Sequence, residues 1–487
     1  MLNDNNINDI NNEKEMDILR KAVDVASDKT LGKLAQSTKV KKIIEIVEEF
    51  IHNKKLICYG GTAINNILPL QSQFYNKYID IPDYDFFSPD AYNDAIELAD
   101  IYSKNGYTIV ESKSGIHNGT FKVYVDFIPV ADITQLPKQL FKTLKEKAIS
   151  VYGILYAPPH FLRMSMYLEL SRPKGDVSRW EKVLKRLIIL NKNYPIKYKM
   201  CNNASFIRKF EDKKLDKQDI TNIFNIVKDT AINNNLVFFG GYAIYLYSNY
   251  MPKNIKYKLK NKTPDFDILS NDPLKSCILI KERLQEKGFK NVKYIKKQNV
   301  GEIIPEHYEI KINKDTIAFI YQTTACHNYN NINKNGKDIR IATIDTILSL
   351  YFAFIYGNRE YFDTNRLLCI IQFLFIIQFK NRLTQKGLLK RFVISCYGNQ
   401  KTMYDIRLNK SLLYEKLKNK PNSIEFKRNF FKYNPNKITK HKIKKYNKKT
   451  KSNKKTKSNK KTKSNKKTKS NKKTKSMRDF LKLIKIN

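Results

Sequence analysis

Between Leu56 and Asp126 the chain carries a diglycine after a short strand, two aspartates two positions apart, and a further acidic strand. Few folds accommodate that order. The first piece, LICYGGTAINNILP, is an apolar strand, Leu56–Tyr59, cut by Gly60-Gly61 and resumed as an apolar helical start, Thr62–Leu68. Glycines at such a junction let backbone approach a ligand closely, and the N–H groups of the new helix then face it, which suits phosphate oxygens. The second piece, IPDYDFFSPDA, holds Asp83 and Asp85, whose spacing in an extended run turns both carboxylates to one face. The third, GTFKVYVDFIPVADIT, alternates from Phe121 to Ile128 and sets Asp126 among Val123, Val125 and Phe127. An unpaired carboxylate in an apolar strand is costly, and three on one face repel one another unless divalent cations lie between them. Oxygen donors of this kind suit Mg²⁺ or Mn²⁺. The predicted metal ligands are therefore Asp83, Asp85 and Asp126, with Asp132 as the competing third ligand.

That order resembles the nucleotidyltransferase superfamily of DNA polymerase beta, whose pattern is a diglycine or Gly-Ser turn, then DxD, then a third Asp on a later strand. More narrowly, YGGTAIN with DYDFFSPDA, VYVDFIPVADI and YLELSRPKGDVSRWEKV is similar to the poly(A) polymerase catalytic subunits of large DNA viruses, of poxvirus and giant-virus type. The similarity is close over residues 40–200 and weaker beyond. It implies an α/β (α+β) fold and template-independent addition of AMP from ATP to the 3′ end of mRNA. It also implies two Mg²⁺ or Mn²⁺ ions on the catalytic set Asp83, Asp85 and Asp126. Gly60, Gly61 and Thr62 would bind the nucleotide, touching its triphosphate through backbone N–H groups and the Thr62 hydroxyl. The implied partners are an RNA 3′ end and ATP, with a homodimer or a separate processivity partner both open, and the implied location is the host cytoplasm or the virion. The residues themselves do not show adenine selection. An oligoadenylate or cyclic-dinucleotide synthase, a terminal uridylyltransferase and a non-catalytic RNA-binding processivity subunit stay open at this point. The gap between the diglycine and DxD is longer than in many superfamily members and makes room for a loop, Gln71–Asp80.

At 487 residues the chain is long enough for two or three cores, and its formal net charge of +45 points to a polyanionic partner. Six cysteines stand singly with no CxxC pair, which predicts neither a zinc site nor a disulfide framework and fits a reducing, intracellular setting. The first residues, MLNDNNINDINNEKEMD, are polar and acidic and predict no secretory leader. The most apolar run, Leu367–Phe379, is too short to span a bilayer and reads as a buried helix. No membrane partner is expected.

The sequence also repeats itself at an offset of about 180 residues. VFFGGYAIYLY at 237–247 echoes ICYGGTAINNI, and TPDFDILSNDP at 263–273 echoes IPDYDFFSPDA. Tandem nucleotidyltransferase-like folds follow, the first catalytic over 16–200 and the second over 201–435. In the second copy Phe319 falls opposite Asp126, and Asp315 is the nearby acidic residue. Phenylalanine cannot ligate a metal, so this copy is degenerate and serves as scaffold or RNA platform. Residues 1–15 are expected to be disordered. Helices are expected over Glu15–Ala26, Val40–His52, Asp90–Lys104 (capped by Asp90), Phe141–Ile149, Pro159–Leu170 and Trp180–Leu190. In the last of these, Trp180 reads as core rather than as a base platform. Lys182, Lys185 and Arg186, with Lys192, Lys197 and Lys199 beyond, line either an RNA or triphosphate path or a solvated face. His117 and His307 have no partners at metal spacing. From 436 to 487 five KKTKS units separated by Asn, with their flanks, supply roughly half the net charge. Such a block cannot bury a core and is either a salt-sensitive nucleic-acid handle or a dispensable expansion.

Overall fold

The structure, a computed structural model, describes residues 4–76, 78–197, 201, 215–260 and 263–436. The Lys-rich tail, Lys199 and the expectations placed on them lie outside those residues. Helices α1 (Asp4–Ala35) and α2 (Thr38–Lys54) lead into the first sheet. In α2 the spacing of Val40, Ile43, Val47, Phe50 and Ile51 makes one apolar stripe, and all five are buried. Ser37 caps its start by accepting from the Val40 N–H at 3.2 Å, and Lys55, left-handed at φ 51°, ends it.

Strand β1 (Ile57–Cys58) runs into α3 (Gly60–Ile67); β2 (Tyr84–Ser88) follows the long loop and feeds α4 (Ala91–Lys104). A meander comes next: β3 (Val110–Ser114), β4 (Thr120–Val125) and β5 (Ile128–Gln135). After α5 (Lys138–Glu146) come a hairpin, β6 (Ile149–Val151) and β7 (Ile154–Tyr156), then α6 (Pro159–Leu170) and α7 (Trp180–Asn193). The second copy opens with α8 (Lys217–Asn233), β8 (Val237–Phe238), α9 (Gly241–Tyr247), α10 (Lys253–Lys260), β9 (Phe266–Ser270) and α11 (Pro273–Glu286). It continues through β10 (Val292–Lys297), β11 (His307–Ile312), β12 (Asp315–Gln322), β13 (His327–Lys334), β14 (Lys337–Ala342), α12 (Ile344–Phe354) and α13 (Thr364–Lys380). Last come β15 (Cys396–Tyr397), α14 (Met403–Leu417), α15 (Ile424–Phe430) and β16 (Lys432–Tyr433).

The repeat is plain in the topology. One sheet has the order β16-β3-β4-β5-β2-β1-β7-β6 and the other β10-β11-β12-β9-β8-β14-β13-β15. Leaving out β16 and β15, the two orders correspond strand for strand, with β2 parallel to β5 as β9 is to β12. The tandem arrangement predicted from the echoes is thus present. The copies meet through α6 and α12, where Tyr167 stacks on Phe352 (6.1 Å between ring centroids) and Phe161 meets Tyr356 edge-on (5.3 Å). Together they form a compact unit that ends at Pro435.

Several expectations are corrected. From Asp4 onward the N-terminus is helical rather than disordered, since Glu13, Lys14, Glu15 and Met16 are good helix formers that extend α1 toward the terminus. The helix expected to reach Ile149 stops at Glu146, and the β6–β7 hairpin turns at Tyr152-Gly153, both at positive φ. Asp90 stands before α4, but its carboxylate accepts from Asn93 Nδ2 (2.8 Å) rather than capping a backbone amide. Cys326 and Cys396 form a disulfide, because β15 pairs with β13 and brings their Cα atoms to 5.2 Å. Separation in sequence hid that pair. The second copy does not keep the whole of 201–435 either, as β16 returns to pair with β3 of the first sheet. The apolar run at Leu367–Phe379 is a helix as expected, with Leu367, Ile370, Ile371, Leu374 and Ile377 buried in α13. Among the described residues no helix is long and apolar enough to cross a membrane.

Candidate active site

The site grows from three neighbouring strands of the first sheet. Asp83 lies just before β2 and Asp85 within it, so pleating turns both to one side and sends Tyr84 to the other, where its hydroxyl donates to Glu48 of α2. Strand β5 runs parallel to β2 in a register that sets Asp132 beside Asp85, and neighbours across a ladder share a face. On the far side of Asp132, Lys122 of β4 is its cross-strand partner, and its ammonium donates to Asp132 Oδ2. Asp132 Oδ1 is buried and, among the described residues, has no hydrogen-bond partner.

The electrostatics follow from this crowding. Burial, then Asp83 and Asp132, push the Asp85 carboxyl up to about 7. Asp83 is raised by burial and then by Asp132. Burial works against the Lys122 ammonium, but its hydrogen bond and charge pairing with Asp132 outweigh that and hold it above the usual lysine range. Like charges kept this close resist ionisation unless a cation joins them.

The structure does not bring Asp126 to this face. Val125 pairs with Ile128, so Asp126 and Phe127 are the two turn residues of the β4–β5 hairpin, with φ 49° and 69°. Asp tolerates the left-handed region and favours such turns. Its carboxylate sits 2.7 Å from Lys39 Nζ at the protein surface. The expected strand therefore ends one residue before Asp126, and the acidic residue on the next strand, Asp132, takes the third position. The repeat carried a usable signal. Gln135 and Gln322 stand opposite Ser88 and Ser270, so Phe319, opposite Asp267, matches Asp132 rather than Asp126.

The diglycine wraps this cluster. Gly60 has φ +73°, and a Cβ on it would collide with the Asp85 carboxylate, whose Cγ would lie 3.1 Å away. Only glycine lets α3 begin so close to a carboxylate. Gly61 is covered by Tyr75 and Arg186, whose Oη and Nη1 would lie 2.5 Å and 2.9 Å from a Cβ placed there. Thr62 is buried, and its hydroxyl donates to the Asp83 carbonyl (2.8 Å), which ties β2 to α3. Trp180 donates its indole N–H to the Glu169 carbonyl (3.0 Å) and lies 6.0 Å from Phe392, as a core position should. Lys185 pairs with Glu181 (2.6 Å) on the solvent side of α7, and Lys192 and Lys197 are exposed. Arg179, Lys182 and Arg186 share a different face of that helix. Arg179 binds Glu169 (3.1 Å) and also lowers the proton affinity of Asp85.

A cavity of about 740 Å³ adjoins the site on the α2 side of β2, with Glu45, Glu48, Glu49, Asp80 and Tyr84 in its wall. That acidic wall is ill suited to a polyanion. In the second copy Gly240-Gly241 again cover Asp265 and Asp267, but aromatic rings fill the site. Phe319 stacks on Tyr361 (4.8 Å) and Phe354 on Phe362 (4.3 Å), leaving a cavity of about 10 Å³ beside Asp267. That is room for one water at most. His307, buried here, bonds to Pro305 O and Tyr361 Oη (2.9 and 2.8 Å). Among the described residues no three His, Cys, Asp or Glu side chains are gathered closely enough to form a ready metal cage. The donor set of Asp83, Asp85 and Asp132 nonetheless fits a hard divalent cation: all oxygen, mutually repelling, with one buried oxygen unpartnered.

Residues 45–176 match the family model described as poly(A) polymerase catalytic subunit. The resemblance read from the motifs holds. A protein assigned as such a subunit in African swine fever virus is 36% identical over 168 residues, covering 33% of this chain and 35% of the relative. One from Acanthamoeba polyphaga mimivirus is 32% identical over 188 residues, 38% of this chain and 31% of the relative. The chain thus spans about a third of the length of the curated relatives it matches. The crystal structure of the Megavirus polyadenylate synthase superposes with a TM-score of 0.72 at 21% identity, covering 88% of this chain and 86% of that one. The chain shares the fold of that structure, and the agreement extends over both copies of the repeat.

Proposed function

We propose that this chain is a template-independent polynucleotide adenylyltransferase that adds AMP from ATP to RNA 3′ ends, with its catalytic centre in the first copy. The observation that carries this reading is the convergence of Asp83, Asp85 and Asp132 beside the diglycine start of α3, inside the segment that matches the polymerase model. In the reaction the acceptor 3′-oxygen bonds to the α-phosphorus, the α–β bridging bond breaks, and pyrophosphate leaves. Asp83, Asp85 and Asp132 would hold two divalent ions, Mg²⁺ or Mn²⁺. Such ions, when bound, make the acceptor hydroxyl more acidic and neutralise the charge that builds on the phosphates.

The protein's own groups do the rest. The first N–H groups of α3 take the triphosphate at the positive end of the helix, with Gly60 giving them a close approach. Lys122 donates to Asp132 and fixes its orientation toward Asp85. Arg179, with its charge felt at Asp85, favours anionic substrate at the mouth. The second copy, its pocket filled by Phe319 and the rings around it, supports α6 through α12 and performs no chemistry.

Primer extension tests this. Purified chain, a short labelled RNA and Mg²⁺ or Mn²⁺ are supplied with each nucleoside triphosphate in turn, beside the Asp83→Asn/Asp85→Asn variant. A ladder with ATP that the double variant abolishes is the expected result. Extension with another nucleotide alone would reassign the substrate, and tight RNA binding without extension would make the chain a non-catalytic subunit.

A further inference from the structure

We propose that the loop between the diglycine helix and β2 positions Arg186 over the first turn of α3, where its guanidinium receives the terminal phosphates of the incoming nucleoside triphosphate. The inference rests on the transferase reading above and assigns a role to the long loop that the sequence left without one.

The loop is anchored by α3 itself. Asn65, buried at 4% exposure, accepts from the backbone N–H groups of Phe74 and Tyr75, each at 2.9 Å. The two rings are thereby set edge to face, 4.8 Å between centroids, and present a corner toward α7. Arg186 fits that corner. Its Cζ lies 4.9 Å from the Phe74 centroid and 5.6 Å from that of Tyr75, and Nη2 donates to Tyr75 Oη at 2.8 Å. Stacking fixes the plane of the guanidinium and the hydroxyl fixes its rotation.

The charge is felt at the Glu169 carboxylate but is not taken up by a direct ion pair. Among the described residues no carboxylate lies within ion-pair distance of Arg186. Lys182, one turn earlier, is pulled below the usual lysine range first by Arg186, then by burial and Arg179, and Asp80 only partly offsets them. Cations on one helix face that depress one another call for a multiply charged anion. Position decides which anion. Arg186 Nη1 and Tyr75 Oη both cover Gly61, so the guanidinium stands at the helix start where a triphosphate would lie, and its fork matches phosphate oxygens. Arg186 is the binding group. Asn65, Phe74 and Tyr75 are positioning residues.

The test compares full-length wild type with Tyr75→Phe, Arg186→Ala, Arg186→Lys and the double variant Tyr75→Phe/Arg186→Ala. Steady-state extension gives KM for ATP and kcat, and thermal shift gives binding of inorganic tripolyphosphate and of AMP. Losing a charge-assisted bond from a preset guanidinium raises KM about tenfold or more for Arg186→Ala, with Tyr75→Phe about threefold and kcat within about twofold. Arg186→Lys, which keeps the charge without the fork, restores little. The double variant is no worse than Arg186→Ala, since Tyr75 acts only through it. Tripolyphosphate binding falls in step while AMP binding holds. Unchanged KM in Arg186→Ala, additive effects in the double variant, or equal loss of AMP binding would each overturn the proposal. Wild type that extends no RNA would sink the transferase reading instead, and the tripolyphosphate series would still decide the role of Arg186.

Discussion

The exchange of Asp126 for Asp132 as third carboxylate gives a sharp prediction, because the two residues differ in everything but charge. Asp126 makes a surface ion pair with Lys39, whose side chain is 64% exposed, so the pair is worth about 0–1 kcal/mol. Asn tolerates the φ of 49° at that turn, so Asp126→Asn should retain activity within about twofold. Asp132 stands in register with Asp85 and contributes to the rise of that carboxyl to about 7. Asp132→Asn removes a ligand from the centre of the site, and losing one preorganised electrostatic group costs on the order of 10²–10³ in kcat. The fold should not suffer in proportion, since the change also relieves repulsion on Asp85 while leaving Lys122 near enough to the surface to be solvated. Primer extension measures kcat, and a thermal melt without metal checks the fold. With Mn²⁺ at about 100 times its dissociation constant, mass action adds about 2.7 kcal/mol to wild type. That gain, and its reversal by chelator, should be absent in Asp132→Asn and present in Asp126→Asn. If Asp126→Asn proves as inactive as Asp132→Asn, or Asp132→Asn extends RNA normally, the assignment from strand register is wrong.

Two more predictions concern the body of the protein. Phe319→Ala should destabilise it by about 3–5 kcal/mol in a denaturant melt, since Phe319 is 1% exposed and leaves a cavity among stacked rings. Extension activity at low temperature should survive, and its loss there would mean that the second copy takes part in the chemistry. The second follows from three histidines, His307 and His327 buried and His160 half-buried, whose proton affinity is pushed down to about 4: His160 by burial, Arg163 and Lys147, His327 by burial and Arg172, and His307 mainly by burial. A folded-state value below the unfolded one means that the unfolded chain binds more protons, so stability falls as pH drops from about 6.5 toward 4, by about 2 kcal/mol per histidine at pH 5. Melts from pH 7 to 5 should show that decline, and His160→Gln should flatten it; a melting temperature independent of pH across this range would contradict the neutral burial of these rings.

Much of this protein was determined by local pattern. The diglycine after an apolar strand, the Asp83–Asp85 spacing and the echo at Gly240-Gly241 fix two copies of one fold, because glycine at φ +73° and paired carboxylates on a pleated strand are needs of the backbone itself. The apolar stripe of α2 and the buried run in α13 are local in the same sense. The third carboxylate was not. An alternating run through Asp126 reads as one strand, and a two-residue turn without glycine interrupts it only because Val125 finds Ile128 and β5 then finds β2. A shift of one strand in pairing exchanges a surface ion pair for a carboxylate beside Asp85. The Cys326–Cys396 bond, the return of β16 to the first sheet, and the corner of Phe74 and Tyr75 under Arg186 likewise join residues far apart in the chain. Their partners are chosen by which surfaces tertiary packing brings together, and no spacing along the sequence records that choice.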